Sequence, residues 1–288
     1  ANIKNEPGKC VYTHMLNPDG GIETDLTVVC INKNHFRIIS SAATRERDKF
    51  HIKRYLSKDI ELKDITDDLV VFGLFGPKSR DLIKTISKDN FDNDGFKFST
   101  AKYITIEDVK IWAQRLSYVG ELGYELYVDI KNAKKIYELL IEKGKDFNLS
   151  NCGMHAMDIM RMESGFLHWG HDISPEENQY QAGLSFTISK KKDVDFIGKQ
   201  ALEKIKKEKI KNKFAMFTLK ESEPGKPLLL HDEPIYIDDK IIGRSTSGNY
   251  SFNFKMNLIF GYIQNDFTDD ELQSKNLFIE VEKQKYPI

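Results

Sequence analysis

Cysteine is scarce in this sequence, and long apolar runs are absent. The three cysteines, at positions 10, 30 and 152, are widely spaced and form no CxxC pair. They predict reduced thiols and argue against a disulfide framework or a cysteine-rich zinc site. No apolar run approaches the roughly 18 residues that a membrane span requires, and no charged-then-apolar leader opens the chain. These absences favour the cytoplasm, or the mitochondrial matrix of a eukaryote.

An excess of charge of either sign is also missing. Lysine and arginine number 43 against 44 aspartate and glutamate residues, a formal net charge of −1. This balance gives no reason to expect nucleic acid as a partner. The one basic run, KIKKEKIKNK at 204–213, contains a glutamate and no aromatic residue. Such a run is typical of a solvated helix end and linker rather than of a surface that follows phosphates.

The glycine-rich signatures of nucleotide binding are absent as well. No GxGxxG occurs, so this chain by itself is not expected to hold FAD or NAD in a Rossmann half. The stretch FGLFGPKS differs from a phosphate loop in two ways: its first glycine is too close to the second, and Pro77 removes one N–H group. The sequence therefore predicts no nucleotide loop.

Apolar residues, by contrast, are plentiful enough for two domains. The chain has 288 residues, of which 40% are hydrophobic and 11% aromatic, and domains have roughly 150 residues each as a prior. Strand and helix patterns mix as far as the lysine-rich segment, and from about residue 212 the pattern is all strand and turn. The predicted fold class is therefore α+β, with a first domain at 1–208 and a β-rich second domain at 209–288.

Three local patterns bear on a site. The β-rich runs DLTVVCI and HFRIIS, joined by the polar NKN, predict a hairpin over residues 25–40. The stretch CGMHAMDIMRMESG predicts a helix with Gly165 as its C-cap. The stretch GFLHWGHDISP, which runs from that glycine to Pro175, predicts a loop.

Imidazole and carboxylate groups are concentrated in this region. His168, His171 and Asp172 lie close together, and His155 and Asp158 lie upstream on the predicted helix. The residues lack the HExxH spacing of a zinc site, and histidines beside a tryptophan are commonly hydrogen-bonded residues of a pocket or core. The sequence therefore predicts no metal here.

Two carboxylates stand out by their positions. Asp25 comes shortly after a Gly-Gly turn, at the beginning of a predicted strand, and Glu121 lies in the glycine-flanked turn YVGELGYE. Taken alone, each carboxylate fits an ordinary turn better than a functional site. Tyr118 and Tyr124 lie near Glu121 in the sequence. An aromatic-walled pocket could be lined by the two carboxylates together with Tyr12, Arg161 and Trp169.

Seven stretches of the sequence fit one family. In chain order they are VYTHMLNPDGGIETDLTV, FRIISSAATRERD, FGPKSRDLI, SYVGELGYELYV, MRMESGFLHWGHDISPEEN, DFIGKQAL and IIGRSTSGNYS. Together they resemble the folate-binding aminomethyltransferase family typified by the glycine-cleavage T-protein. Met157 and Trp169 replace an arginine and a tyrosine that are typical of the T-protein, and in this the chain is closer to the tetrahydrofolate-binding C-terminal region of dimethylglycine and sarcosine dehydrogenases.

The resemblance implies a folate-binding aminomethyltransferase fold followed by a small C-terminal β-barrel, arranged around a central channel. It also implies that the opening segment of the first domain and the last residues of the barrel are missing. The chain would then be either a fragment or part of a longer protein. In the second case, a FAD-dependent oxidoreductase domain or subunit is the expected partner, and FAD would bind only there.

The matching positions suggest roles for individual residues. Asp25 matches the family's catalytic aspartate, beside the reacting edge of the folate. Glu121 matches the glutamate that accepts hydrogen bonds from the pterin N3–H and 2-amino group. Arg161 matches an arginine of the family's LRLE motif, and both ligand contact and support of the site are open for it. The other candidate cofactor-binding residues are Tyr12, Ile39, Ser41, Tyr118 and Trp169, and at Ser41 the family often has asparagine.

The implied function is tetrahydrofolate-dependent one-carbon transfer. The methylene or formaldehyde unit of an N-methyl amine, of the dimethylglycine or sarcosine type, would be captured as 5,10-methylenetetrahydrofolate. The first alternative is a T-protein that acts on an aminomethyl-lipoyl carrier, and another is a demethylase for a different methyl donor such as a sulfonium compound. A non-catalytic folate-binding or iron–sulfur-assembly protein is disfavoured, because SYVGELGYE lacks the cysteine of the KGCYxGQE stretch usual in those proteins. Neither nucleic acid nor a membrane is expected as a partner.

Overall fold

The computed structural model describes residues 1–189 and 195–288. Within them the chain forms two compact units, each built from separate stretches of sequence. The amino-terminal unit contains residues 2–12 and 26–153, and the carboxyl-terminal unit contains residue 1, residues 13–25 and residues 154–288. The division predicted at 208/209 therefore lies inside the carboxyl-terminal unit, because the helices and loops from 154 onward group with the strands that follow.

The described residues contain both helices and strands, which confirms the α+β class. The strands are β1 (Cys10–Leu16), β2 (Ile22–Asn32), β3 (His35–Ile39), β4 (Leu69–Phe75), β5 (Ala101–Ile106), β6 (Val109–Gln114), β7 (Gly123–Asp129), β8 (Asn212–Thr218), β9 (Pro234–Ile237), β10 (Lys240–Ser251), β11 (Met256–Gln264), β12 (Leu277–Val281) and β13 (Gln284–Pro287). The α-helices are α1 (Arg45–Tyr55), α2 (Ser79–Ile86), α3 (Ile130–Gly144), α4 (Met154–Glu163), α5 (Lys199–Lys207) and α6 (Asp269–Gln273). None of the helices in the described part of the chain is long and apolar enough to cross a membrane.

An antiparallel sheet of order β4–β7–β6–β5 organises the amino-terminal unit. Successive side chains of a strand point to opposite faces, so the residues of β7 divide between the two faces. Tyr124, Leu126 and Val128 are completely buried in the main core, which they share with apolar residues of α2 and α3. Glu125 and Tyr127 therefore lie on the opposite face of the sheet.

That opposite face carries a smaller cluster. Cys10, Val29, Trp112 and Tyr127 are buried together there, and Ile39 packs against them. These contacts bring β1 and the β2–β3 hairpin into the cluster. The hairpin predicted over residues 25–40 is confirmed by the antiparallel pairing of β2 with β3, and β2 begins earlier than expected, at Ile22.

The carboxyl-terminal unit contains a six-stranded sheet of order β13–β12–β9–β10–β11–β8. Strand β11 is buried along most of its length, and Ile259 and Ile263 belong to two neighbouring apolar clusters. The predicted strand-and-turn character of this region is confirmed apart from α6. A capping box, in which Thr268 and Glu271 bond reciprocally, begins that short helix.

Helix α4 and the stretch after it also agree with the sequence prediction. Gly165 has a left-handed φ of +72°, and the N–H of Phe166 donates to the carbonyl of Arg161 at 2.9 Å. Glycine adopts such a φ without steric cost, so Gly165 ends the helix as predicted. Residues 165–177 then form neither helix nor extended strand. We call this segment the histidine loop.

Candidate functional site

Asp25 lies in the first part of β2 and is half-buried. The alternation of the strand puts Ile22 and Thr24 on the inner side, with exposed fractions of 0% and 2%, so Asp25 faces the other side of the strand. Asp25 was predicted to begin the strand, and it lies in β2 as its fourth residue, because the strand begins at Ile22. Its catalytic role stays a prediction.

The turn before β2 is fixed by Asn17. Its Oδ1 accepts hydrogen bonds from the backbone N–H of Asp19 at 3.0 Å and of Gly21 at 2.9 Å, and its Nδ2 donates to the Pro175 carbonyl at 3.2 Å. A Cβ atom at Gly21 would lie 1.8 Å from the Pro175 carbonyl oxygen. Only glycine therefore allows this turn to approach the histidine loop so closely.

The histidine loop also binds both backbone polar groups of Ile22. The N–H of Ile22 donates to the Glu177 carbonyl at 2.9 Å, and the Ile22 carbonyl accepts from Nε1 of Trp169 at 3.0 Å. The Trp169 ring packs against the apolar cluster that contains Ile22. Trp169 was predicted to bind the cofactor, but its one polar atom is used by the protein backbone. Its ring stays a predicted ligand contact.

The histidine loop is in turn anchored by Asp172, whose side chain is completely buried. Its Oδ2 accepts from Nη1 of Arg161 at 2.5 Å and from the backbone N–H of His168 at 2.9 Å. Its Oδ1 accepts from Thr246 Oγ1 at 2.6 Å and Ser247 Oγ at 2.8 Å. Four donors thus satisfy this carboxylate. We call Arg161, Asp172, Thr246 and Ser247 the ion-pair cluster.

Arg161, the other charge of this cluster, is 1% exposed. Besides Asp172, its guanidinium donates to Asp158 Oδ1 at 2.8 Å, the Phe166 carbonyl at 3.1 Å and Ser247 Oγ at 2.8 Å. Four of the five N–H groups of an arginine are therefore used by the protein. Of the two roles left open by the sequence, this geometry favours support over ligand contact.

The histidines of the loop lie side by side. The ring centroids of His168 and His171 are 4.6 Å apart, and those of His171 and His231 are 6.3 Å apart. Burial lowers the pKa of His168, and a charge on His171 would lower it further. Across residues 1–189 and 195–288, no three His, Cys, Asp or Glu side chains are grouped so that they could hold a metal ion.

The amino-terminal unit has a polar cluster of a different kind. In the pairing of β6 with β7, Gln114 lies opposite Glu125 and Trp112 lies opposite Tyr127, so their side chains are neighbours on one face. The Tyr127 hydroxyl donates to Glu125 Oε2 at 2.7 Å. We call these four residues, with Arg37, the glutamate cluster.

Burial changes the pKa values of two side chains in this cluster and of Cys10 beside it. It raises the pKa of the Glu125 carboxyl, although the hydrogen bond from Tyr127 acts in the opposite direction. It also raises the pKa of Tyr127, with the nearby Glu125 as a second cause, so the phenol remains a donor. Burial raises the pKa of Cys10, whose Sγ lies 3.8 Å from Gln114 Oε1, to about 12. That thiol stays neutral and is no candidate nucleophile.

Several buried donors of the glutamate cluster have no acceptor. Gln114 Nε2, Trp112 Nε1 and Arg37 Nη1 make no hydrogen bond with any residue that the structure describes. The Arg37 guanidinium lies over the Trp112 ring, 5.0 Å from its centroid. A buried donor without a partner costs about 1–3 kcal/mol, so several such donors around one carboxylate call for an explanation, and a bound ligand is one.

The other predicted cofactor-binding residues of this unit lie in different surroundings. Glu121 is exposed and Tyr118 is half-buried in the turn between β6 and β7. Tyr12 on β1 is 39% exposed. Ser41 is exposed and accepts from the Ala43 N–H at 3.3 Å as the cap of a short helical turn. Of the residues predicted for the cofactor, only Ile39 packs against the buried cluster of Trp112 and Tyr127.

Glu125 was not singled out from the sequence. The signal was available in GYELYV, where strand alternation puts Glu125 on the same face as Tyr127 within an otherwise apolar run. A carboxylate inside a buried strand needs an explanation more than one in a glycine-flanked turn does.

Comparisons with known proteins give the family. A model described as the GCVT N-terminal domain matches residues 1–192, and one described as the glycine cleavage T-protein C-terminal barrel domain matches residues 212–288. The chain belongs to the GCVT family. The family is of the folate-dependent aminomethyltransferase type, and membership confirms the resemblance drawn from the seven stretches.

Two kinds of curated relative match this GCVT chain. It is 36% identical over 251 residues to 4-methylaminobutanoate oxidase (formaldehyde-forming) of Paenarthrobacter nicotinovorans, and 32% identical over 266 residues to mitochondrial dimethylglycine dehydrogenase of Homo sapiens. These alignments cover 87% and 91% of the chain but only 30% of each relative. An aminomethyltransferase of Halothermothrix orenii is 32% identical, and the alignment covers 90% of the chain and 71% of that relative.

A solved structure supports the fold. The crystal structure of glycine cleavage system aminomethyltransferase T from Bartonella henselae superposes with a TM-score of 0.84 at 20% sequence identity. The superposition covers 99% of this chain and 75% of that one. At this identity the likeness concerns the fold alone.

Proposed function

We propose that this chain binds tetrahydrofolate and uses it to capture the one-carbon unit of an N-methyl amine. The glutamate cluster carries the proposal. The pterin edge presents N3–H and an amino group as donors, next to a carbonyl as acceptor. Glu125 supplies a carboxylate for the two donors, and unpaired N–H groups lie on the residues around it. The apolar neighbours Ile39 and Trp112 suit the flat ring.

Two carboxylates compete for this role. The resemblance assigns it to Glu121, whose side chain is exposed. A hydrogen bond to a carboxylate contributes more where water is excluded. Glu125 is half-buried, and this burial raises its pKa, so its charged form gains more from pterin donors than an exposed carboxylate does. We therefore propose Glu125 as the acceptor of the pterin donors, and the exposed Glu121 is the matched comparison for its substitution.

Asp25 is proposed as the catalytic carboxylate. Formaldehyde and tetrahydrofolate combine to give 5,10-methylenetetrahydrofolate and water, and an iminium donor would instead release an amine. In either case positive charge develops on folate nitrogens, and protons must leave them. A fixed carboxylate favours both changes as a positioned base or electrostatic partner. Holding the two reactants together supplies the remaining gain.

The names of the relatives support an N-methyl amine as the source of the carbon. One is called a formaldehyde-forming oxidase of 4-methylaminobutanoate, and another a dimethylglycine dehydrogenase. Because this chain spans 30% of those relatives, we propose a FAD-dependent oxidoreductase domain or subunit as the partner that forms the one-carbon unit. The alternative is the aminomethyltransferase reaction of the glycine cleavage system, which the H. orenii relative supports.

The test uses the protein at its full length with both one-carbon sources. Formation of 5,10-methylenetetrahydrofolate from formaldehyde or an oxidised N-methyl amine is expected, without any lipoyl carrier. Asp25→Asn should lower turnover about 10²–10⁴-fold and change tetrahydrofolate affinity far less. Asp19→Asn, in the exposed turn before β2, is the matched control.

Three outcomes contradict the proposal. Activity only with an aminomethyl-lipoyl carrier would favour the glycine cleavage alternative. Unchanged turnover in Asp25→Asn would remove Asp25 from catalysis, and equal losses of turnover and affinity would make it a binding residue.

A further inference from the structure

We propose that Trp169 is a positioning residue for Asp25, and that the ion-pair cluster acts through it. The inference rests on the proposed function only in taking Asp25 as the catalytic carboxylate. It gives the histidine loop a task that needs neither a metal nor acid–base chemistry: to fix the geometry of the strand that carries the catalytic group.

The histidine loop contacts β2 at Ile22. Ile22 is completely buried, and its N–H and carbonyl are bound by the Glu177 carbonyl and by Trp169 Nε1. Two hydrogen bonds on opposite sides of one residue fix the orientation of both adjoining peptide planes, because each plane is rigid. The path of β2 is thus set just before Asp25.

The histidine loop is itself held in place by hydrogen bonds to Asp172. Trp169 follows His168, whose backbone N–H donates to Asp172 Oδ2. The same carboxylate is held by Arg161 and by the hydroxyls of Thr246 and Ser247. The Tyr262 hydroxyl donates to the Asp172 carbonyl at 2.9 Å. Residues of α4, β10 and β11 therefore hold the loop on which Trp169 lies.

Movement of Asp25 would lower the rate of the reaction. A displacement of a reacting group by about 1 Å can lower the rate on the order of 100-fold. Loss of the Trp169 bond would let the start of β2 move while the turn at Asn17 still holds the chain. Turnover should therefore respond more than the affinity for folate, and more than the fold as a whole.

The decisive variant is Trp169→Phe, which keeps an aromatic ring and removes the N–H donor. Tyr236→Phe is the matched control: it removes a hydroxyl that donates to Glu280 Oε2 at 2.9 Å, in the sheet of the same unit. We expect turnover to fall about 10–100-fold in Trp169→Phe, with the dissociation constant of tetrahydrofolate within about threefold. Trp169→Tyr should recover part of the loss, because its hydroxyl restores a donor.

Hydrogen–deuterium exchange supplies a readout that is independent of activity. Amides of residues 22–25 should exchange faster in Trp169→Phe, and those of β10 and β11 should stay as protected as in the unchanged protein. Thr246→Val, which removes one of the four donors to Asp172, should show the same pattern with a smaller amplitude. It provides a second test if Trp169→Phe does not fold.

The outcomes separate this inference from the proposed function. If the unchanged protein forms no 5,10-methylenetetrahydrofolate, the proposed function fails, and exchange at residues 22–25 still decides whether the loop holds β2. If it is active and Trp169→Phe keeps full turnover and unchanged exchange, the positioning role is wrong. A loss of folate affinity equal to the loss of turnover would make Trp169 a binding residue instead.

Discussion

The two buried polar clusters of this protein are built in opposite ways. In the ion-pair cluster of the carboxyl-terminal unit, four donors satisfy Asp172, and protein acceptors take four N–H groups of Arg161. In the glutamate cluster of the amino-terminal unit, the Glu125 carboxylate accepts one hydrogen bond from the described part of the chain, that of the Tyr127 hydroxyl. Donors of Arg37, Trp112 and Gln114 find no partner within the described residues.

From this difference we infer that the ion-pair cluster stabilises the fold and that the glutamate cluster binds a ligand. A cluster whose polar groups are nearly all paired has little left to offer a ligand, and its loss is expected to harm the fold. A half-paired cluster lowers the stability of the free protein but presents groups that a ligand can satisfy.

Arg161→Met should lower the free energy of unfolding by about 3–5 kcal/mol, because it leaves the buried charge of Asp172 without its partner. Urea unfolding followed by circular dichroism measures it. Arg45→Met is the control, since Arg45 pairs with Asp64 and the exposed Asp67 at the surface, where such pairs contribute at most about 1 kcal/mol. Equal losses in the two variants would mean that the ion-pair cluster is no special scaffold.

His14 gives the carboxyl-terminal unit a pH-dependent contribution to stability. Burial lowers its pKa from 6.5 to about 4. Between these two pH values, His14 is protonated in the unfolded chain and neutral in the folded chain. Stability should then be intact above pH 6.5 and fall toward pH 4, by about 2 kcal/mol between pH 7 and pH 5. His14→Gln should reduce that slope, and His35→Gln, at an exposed position, should not. An unchanged slope in His14→Gln would contradict the assignment.

Folate affinity should depend on pH through the glutamate cluster. The raised pKa of Glu125 means that free protein takes up a proton at a pH above the ordinary range of a carboxyl. Pterin donors favour the charged form. Affinity should therefore fall about tenfold per unit as the pH drops below that raised pKa, and be constant above it. Glu125→Gln should bind tetrahydrofolate weakly, and its affinity should change less with pH. An equally steep pH dependence in this variant would mean that a group other than Glu125 titrates.

Trp112→Phe is expected to have the smallest effect. It removes a buried donor that has no acceptor among the described residues, so stability should change by less than about 1 kcal/mol or rise. Trp169→Phe loses a similar volume together with a hydrogen bond to Ile22, and should be the more destabilised in thermal unfolding. The reverse order would mean that the Trp112 donor is paired in solution.

The sequence predicted the features that depend on neighbouring residues. The β2–β3 hairpin, the end of α4 at Gly165 and the strand-rich region after residue 212 all follow from local turn chemistry and periodicity. The grouping of residues 13–25 with 154–288 was not predictable, because it depends on contacts between distant parts of the chain.

The same limit applies to the site. Arg161 and Asp172 are close in sequence, but Thr246 and Ser247, which complete their cluster, come from β10. Glu125 becomes a candidate only once the sheet order shows which face α2 and α3 cover and which face carries Trp112 and Gln114. Asp25, by contrast, was found from its turn and its family resemblance, and its strand position agrees with both.

The most direct test of the contrast is to measure binding and stability together in Glu125→Gln, with Glu121→Gln as its comparison. An amide offers one acceptor and one donor to the two pterin donors, and hydrogen bonds to charged groups contribute about 1.5–3 kcal/mol. By calorimetric titration, tetrahydrofolate affinity should fall at least about tenfold in Glu125→Gln and less than about twofold in Glu121→Gln. Glu125→Gln should unfold at the same or a higher urea concentration. Unchanged affinity in Glu125→Gln, or a larger loss in Glu121→Gln, would contradict the account.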